Sequence, residues 1–152
     1  MSSNPSGANH PTFFMLVWAA ASVGLQSLLP LRLPEMSLTA PIAKILTASG
    51  MLLFVWAQVV FWRHGATPDH WRPTTALVTS GPFRFSRNPI YVAFILLFSG
   101  IALNYGNGWG LLLVPPFALA LHFRTILREE VYLEREFGTA YVAYREAVRR
   151  WL

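Results

Sequence analysis

The sequence predicts an all-α polytopic membrane protein. It reads as four transmembrane helices with a cytoplasmic loop between the second and third and cytoplasmic helices at the C-terminus. Three observations predict this. Of 152 residues, 54% are hydrophobic and only 12% charged, against about 25% charged in a typical soluble domain. Charge is absent from Phe13 to Leu31, from Ile45 to Trp62, and from Asn88 all the way to Phe123. The basic residues are also segregated. Arg63, Arg72, Arg84 and Arg87 precede the last of these stretches, and Arg124, Arg128, Arg135, Arg145, Arg149 and Arg150 follow it. Only Arg32 and Lys44 lie elsewhere.

The first span covers about residues 13–31. No Lys or Arg precedes it, so it lacks the basic flank of a signal peptide and reads as a retained helix. The second span covers about 45–62. The charge-free run after Asn88 exceeds the roughly 20 residues of one crossing. Asn104-Tyr105-Gly106-Asn107-Gly108 breaks it, because Gly and Asn at that density form a turn. The result is a helical hairpin with spans of about 89–105 and 109–127. The charge-free part of each arm is about 15 residues, or roughly 22 Å of helix, short of a hydrocarbon core of roughly 30 Å. The arms therefore either extend past the turn and the charged flank or form a re-entrant hairpin. We read full spans, with Tyr105 and Trp109 as interfacial anchors. Pro115-Pro116 is expected to kink the fourth helix.

Lys and Arg set the orientation. Both basic segments flank the hairpin on one side, which places them, and hence both termini, in the cytoplasm of a plasma (inner) membrane. The chain reads as a single domain over 1–152, with a cytoplasmic loop at 63–88 and a cytoplasmic C-terminal segment at 128–152. The net charge is +5 and the pI about 10.2. The basic residues are too few and too segregated for a nucleic-acid partner. There are no cysteines, which excludes disulfides, thiolate metal sites and cysteine nucleophiles. His64, His70 and His122 have no metal-ligand spacing, and no metal is expected.

The loop holds Pro68, Pro73, Gly81, Pro82 and Pro89, a density that forbids a long helix. Leu77, Val78, Phe83 and Phe85 argue that it is ordered. Pro89 suits the first turn of the third helix, with Asn88 as its N-cap. Arg124 to Phe137 contains no Gly or Pro, so the fourth helix is expected to continue into the cytoplasm. Gly138 stops it. Thr139 then caps a last helix running to about Arg150, with Tyr141, Tyr144 and Val148 at helical spacing. Glu129 and Glu130 fall about one turn beyond the apolar run, beside the cationic loop.

Two stretches carry a resemblance. One is Leu77-Val78-Thr79-Ser80-Gly81-Pro82-Phe83-Arg84-Phe85-Ser86-Arg87-Asn88-Pro89-Ile90-Tyr91. The other is Arg128-Glu129-Glu130-Val131-Tyr132-Leu133-Glu134-Arg135-Glu136-Phe137-Gly138-Thr139-Ala140-Tyr141-Val142-Ala143-Tyr144. In this order, flanking a hairpin, they resemble the integral-membrane methyltransferases related to isoprenylcysteine carboxyl methyltransferase and phospholipid N-methyltransferase. The resemblance covers about residues 65–152; the first two spans match only as apolar helices. It implies S-adenosylmethionine as cofactor, bound at the cytoplasmic face by Leu77, Val78, Phe83, Asn88, Pro89, Tyr91, Glu129 and Glu130. It also implies a lipid or small lipophilic methyl acceptor that arrives from the bilayer.

This chain departs from the family pattern at three positions. Asn88 stands where the eukaryotic prenylcysteine enzymes have His, and it cannot act as a base near neutral pH. Ala93 stands where Gly is frequent. Thr125 aligns with a substrate-carboxylate arginine and is flanked by Arg124 and Arg128, which become the substrate-orienting candidates.

The residue types suit the chemistry. Carboxylates can accept hydrogen bonds from a ribose or an amine. Arg84, Arg87 or the helix start after Asn88 could hold a carboxylate. Phe83 and Tyr91 can pack on adenine or face a sulfonium. Methyl transfer needs alignment and dryness more than acid–base groups. The reading from a different class is a non-enzymatic four-helix membrane protein, such as a transporter subunit or assembly factor. A transporter would place ionisable residues within its spans, and 13–31 and 45–62 hold none.

Overall fold

The computed structural model describes residues 11–34, 37–64 and 76–152. The described residues are helical throughout, apart from turns and one isolated bridge between Arg32 and Asn107. Helix α1 is Pro11–Leu28 and α2 is Thr39–Arg63. A 3-10 turn at Gly81–Arg84 precedes α3, Pro89–Asn104. Helix α4 runs over Gly108–Phe137, and α5 over Thr139–Ala147. Two helices, α2 and α4, are long and apolar enough to cross a membrane, at 25 and 30 residues. Helices α1 and α3 are apolar and shorter. Pro68, His70, Arg72 and Pro73 lie outside the described residues.

The hairpin turn falls where the Asn/Gly cluster predicts it. Helix α3 ends at Asn104, and the Asn107 side chain accepts a hydrogen bond from the Gly110 N–H at 3.0 Å, capping α4. The turn docks on the connection between α1 and α2. Gly108 N–H donates to the Leu31 carbonyl at 2.8 Å, and the Trp109 indole N–H to the Leu29 carbonyl at 2.6 Å. Trp109 is thus a partner of the α1 end.

Two irregularities interrupt α4. The helix turns at Leu113, between segments Gly108–Leu112 and Val114–Leu121. Pro115 and Pro116 explain this, since neither can donate to the carbonyl four residues back. Residues His122–Ile126 then form a π-helical turn, a feature that occurs often at functional sites. Beyond it, α4 continues to Phe137, as expected, and ends at Gly138. That glycine has φ +53° and ψ −126°, a conformation other residues rarely adopt. Helix α5 ends at Ala147, three residues short of the expected Arg150. Val148 is extended, and the following residues turn back toward the loop.

Helix α3 is the hub. Tyr91, Phe94 and Phe98 form one buried cluster with Phe117, Leu121 and Ile126 of α4, and Trp18 of α1 packs against it. Rings meet at 5.4 Å for Phe98–Phe117 and 5.7 Å for Phe54–Phe94. Helices α2 and α3 approach through small residues, as helices in membranes do. A Cβ added at Gly50 would lie 2.9 Å from the Leu97 backbone N, and one at Gly100 only 2.7 Å from the Thr47 backbone N. Gly100→Ala is therefore expected to push α2 and α3 apart and lower the thermal midpoint in detergent. Overpacking of this kind costs about 1–3 kcal/mol. An unchanged midpoint would show that the two helices can separate freely.

The outward surfaces of α1 and α2 are apolar. Leu16, Val17, Val23, Ile42, Ile45, Met51, Leu52, Val55 and Trp56 are all exposed. An apolar surface this extended does not stand in water, and a hydrocarbon medium satisfies it.

Candidate functional site

Asn88 and Tyr91 of the first signature gather with Glu129 and Glu130 of the second at one end of the bundle, where α2 and α4 leave their apolar stretches and α3 begins. The 3-10 turn at Gly81–Arg84 is seated there against α2. Phe83 packs on Phe61 at 4.9 Å and joins a small core of Ala57, Val60 and Val78. Gly81 has φ +60°, and a Cβ there would lie 2.7 Å from a Val60 methyl, so the turn can sit this close to α2 only with glycine. The loop signature is thus held in place by its apolar residues, as their presence suggests.

Tyr91 lies in the first turn of α3. Its hydroxyl donates to Glu129 Oε1 at 2.6 Å, which ties the loop signature to the Glu-Glu signature across the hairpin. Tyr91 is buried. Glu129 lies beyond the apolar stretch of α4, which ends at Phe123. Desolvation pushes its carboxyl up to about 7, and the Glu130 charge adds to this; the Tyr91 hydrogen bond pulls it back in part.

Glu130 has a different environment. It sits between two guanidinium groups: Arg87 Nη1 is 2.9 Å from its Oε1, and Arg150 donates to both oxygens, each at 2.8 Å. Arg87 also donates to the Tyr141 hydroxyl at 3.2 Å. The Glu130 bond pushes the Arg150 guanidinium further toward its charged form. Burial, reinforced by Glu130, raises the Tyr141 hydroxyl despite Arg87. Tyr144, raised chiefly by burial, donates to the Phe83 carbonyl at 2.7 Å.

Asn88 is buried just before α3, but its side chain caps nothing there. Asn88 thus takes the expected N-cap position, its carbonyl accepting from the Tyr91 and Val92 N–H groups, but without a side-chain capping bond. Its Nδ2 donates instead to the Arg150 carbonyl at 2.9 Å, and its own N–H is held by Ser86 Oγ at 3.1 Å. Thr139 likewise does not cap α5: Gly138 occupies the cap position. The Arg150 carbonyl is the acceptor that the buried Asn88 and Ser86 side chains share.

The residues expected from the sequence thus fall into three groups. Tyr91 and Glu129 touch each other. Asn88 and Glu130 meet through Arg150. Val78 and Phe83 share the small core against α2, Pro89 is buried at the start of α3, and Leu77 is half-buried. Arg124 and Arg128 are exposed and stand outside the cluster. Thr125, between them, is buried, and its hydroxyl has no hydrogen-bond partner. It sits in the π turn, one turn before Glu129. His122 stacks on Trp151 at 6.3 Å, and His64 bonds the Val60 carbonyl at 2.8 Å. Sequence reasoning missed Ser86, Arg150 and Trp151. It read Arg87 as a flanking charge or a carboxylate holder rather than as the partner of Glu130. No spacing pattern announces a contact such as Asn88 to Arg150, between residues 62 positions apart.

The arrangement is an apolar helical hairpin with a carboxylate, a phenol and paired arginines at one mouth. This defines a class of helical membrane protein with a polar site at the end of an apolar bundle. A profile of the family described as "Phospholipid methyltransferase" matches residues 38–140. The chain belongs to that family, a family of methyltransferases acting on membrane substrates. An uncharacterized protein of Haemophilus influenzae is 40% identical over 63 residues, which are 41% of this chain and the whole of that protein. No solved structure matches the chain.

Proposed function

We propose that this chain is an S-adenosylmethionine-dependent methyltransferase. It works at the cytoplasmic membrane interface on a lipid or small lipophilic acceptor, in the manner of isoprenylcysteine carboxyl methyltransferase. The observation that carries the reading is the Tyr91–Glu129 pair, which joins the two signature segments across the hairpin. The residues fit such a cofactor. Glu129 offers a poorly hydrated carboxylate for an ammonium or for ribose hydroxyls, and the Tyr91 ring joined to it offers an apolar face. When bound, the cofactor would supply an electrophilic methyl group on a sulfonium. The chain's own part is to orient that group and exclude water, which in-line transfer requires. Thr125, Arg124 and Arg128 border the route an acceptor would take from the bilayer. The unpaired Thr125 hydroxyl is placed to meet a polar group on that acceptor.

The fold in this reading crosses the membrane four times as a single domain over 1–152, with both termini in the cytoplasm. Helix α3 measures 16 residues, or roughly 24 Å by rise per residue, so it crosses by starting inside the interfacial layer. The cysteine-free sequence allows a direct check. A single cysteine at Tyr105 is expected to react with an impermeant maleimide from outside the cell, and one at Arg84 only after lysis. The reverse labelling would invert the topology; labelling of both from one side would make the hairpin re-entrant.

The cofactor assignment is tested by calorimetric titration of detergent-purified protein with S-adenosylmethionine. Saturable binding is expected. A folded chain that binds none, with lipid present as well as absent, would favour a non-enzymatic membrane protein.

A further inference from the structure

After α5 the chain becomes extended at Val148, and residues 149–151 lie across the loop signature. Their contacts are specific. The Arg87 N–H donates to the Arg149 carbonyl at 2.9 Å. The Arg150 carbonyl accepts from Asn88 Nδ2 at 2.9 Å and from Ser86 Oγ at 3.4 Å. The Arg150 side chain grips both oxygens of Glu130. Trp151 stacks on His122 of the π turn and packs against the core cluster of Tyr91 and Phe94. One short segment thus touches the loop, the Glu-Glu segment and the π turn together.

Two of the residues it holds, Asn88 and Glu130, are among those the family resemblance would aim at the cofactor. Asn88 gives an N–H of its side-chain amide to the strap. Glu130 has both oxygens engaged by guanidinium groups. Tyr91 and Glu129, by contrast, are joined directly to each other. We infer that residues 149–151 form a positioning strap, and that Asn88 and Glu130 act on the cofactor site through it rather than as ligands. The strap fixes the loop against α4, and this sets Tyr91 and Glu129 at their bonding distance. Asn88, Glu130 and Arg150 are positioning residues in this scheme.

The inference rests on the cofactor reading above, so its test is a double-mutant cycle read in two ways. Asn88→Ala and Arg150→Ala are each expected to weaken S-adenosylmethionine binding about tenfold, measured by calorimetry well below the melting temperature. If Asn88 acts through Arg150, the double variant binds no more weakly than the weaker single one. Arg150→Lys, which keeps the charge but loses the two-pronged grip, is expected to fall between wild type and Arg150→Ala. Independent losses multiplying to about 100-fold in the double variant would overturn the strap, because the two residues would then act on the site separately. So would lowered melting temperatures with unchanged dissociation constants, which a purely structural role would give. If an alanine variant does not fold, Asn88→Ser and Arg150→Lys form a milder cycle that separates the same two outcomes. A folded wild type without cofactor binding would overturn the methyltransferase reading instead. The thermal cycle then decides whether the strap couples these residues: non-additive shifts support that coupling and additive ones overturn it.

Discussion

Glu129→Gln is expected to bind S-adenosylmethionine about 100-fold more weakly than the wild type while folding at least as well. The size follows from losing a charge-assisted hydrogen bond, worth about 1.5–3 kcal/mol, where about 1.4 kcal/mol is tenfold. The folding half of the expectation comes from the pair itself. A glutamine oxygen still accepts the Tyr91 hydroxyl, and the variant no longer has a carboxylate to ionise in a poorly hydrated place. Calorimetry reads the binding and thermal melting in detergent reads the fold. Binding unchanged in the variant would remove Glu129 from the site.

The same carboxyl sets a pH dependence. Its folded-state value of about 7 lies above the ordinary value of 4.5. A carboxyl raised on folding favours the folded state when protonated. The favourable contribution is full below about 4.5 and lost as pH rises through 7. The wild-type melting temperature is therefore expected to rise, relative to Glu129→Gln, as pH falls from 8 toward 5. Cofactor binding should run the other way. The carboxylate is the species that meets a cation, and a cofactor α-amine stays charged below pH 7. Wild-type affinity should thus weaken by up to about tenfold per unit below pH 7, and level off above it. Opposite slopes in stability and affinity would trace both to one group; parallel slopes would point to another.

The sequence carried most of the hairpin and one half of the site. The turn at 104–108 was legible because Asn107 and the glycines act locally, within a few residues of where they stand. The stop at Gly138 and the break before Pro115 were legible for the same reason. The pairing of the two signatures followed from their order around a hairpin, and Tyr91 and Glu129 do meet. What was not legible depends on long-range satisfaction of buried groups. Asn88 before Pro89 reads locally as an N-cap, yet the competing demand of a buried loop sends its amide to Arg150. The tyrosines of α5 read only as one face at helical spacing; Tyr141 is buried, and its hydroxyl also serves Arg87. The last helix reads as continuing to Arg150. It ends earlier, at an extended Val148, and the Arg149 and Arg150 carbonyls then accept from Arg87 and Asn88 of the loop.

Glu130→Ala is expected to be the most destabilising single change at this end of the molecule. Arg87 is almost fully buried, with only 8% of its side chain exposed, and its Nε already lacks a partner. Removing Glu130 leaves that guanidinium desolvated with only the Tyr141 hydroxyl for its terminal nitrogen. Breaking a buried pair from one side costs about 3–5 kcal/mol, which for a chain of this size lowers the melting temperature by roughly 10 °C. Arg87→Ala should cost less, because Glu130 keeps the two-pronged grip of Arg150. Arg150→Ala should cost least, since its side chain is 34% exposed and water can replace part of the bond. The order Glu130, Arg87, Arg150 is itself diagnostic. If the loss comes from a stranded buried charge, adding Arg87→Met to Glu130→Ala should recover much of the stability, because an apolar replacement for a buried ion pair is often neutral. A double variant no more stable than Glu130→Ala alone would mean that Glu130 acts mainly through Arg150, and the stability of this end would then reside in the return of residues 149–151 to the loop.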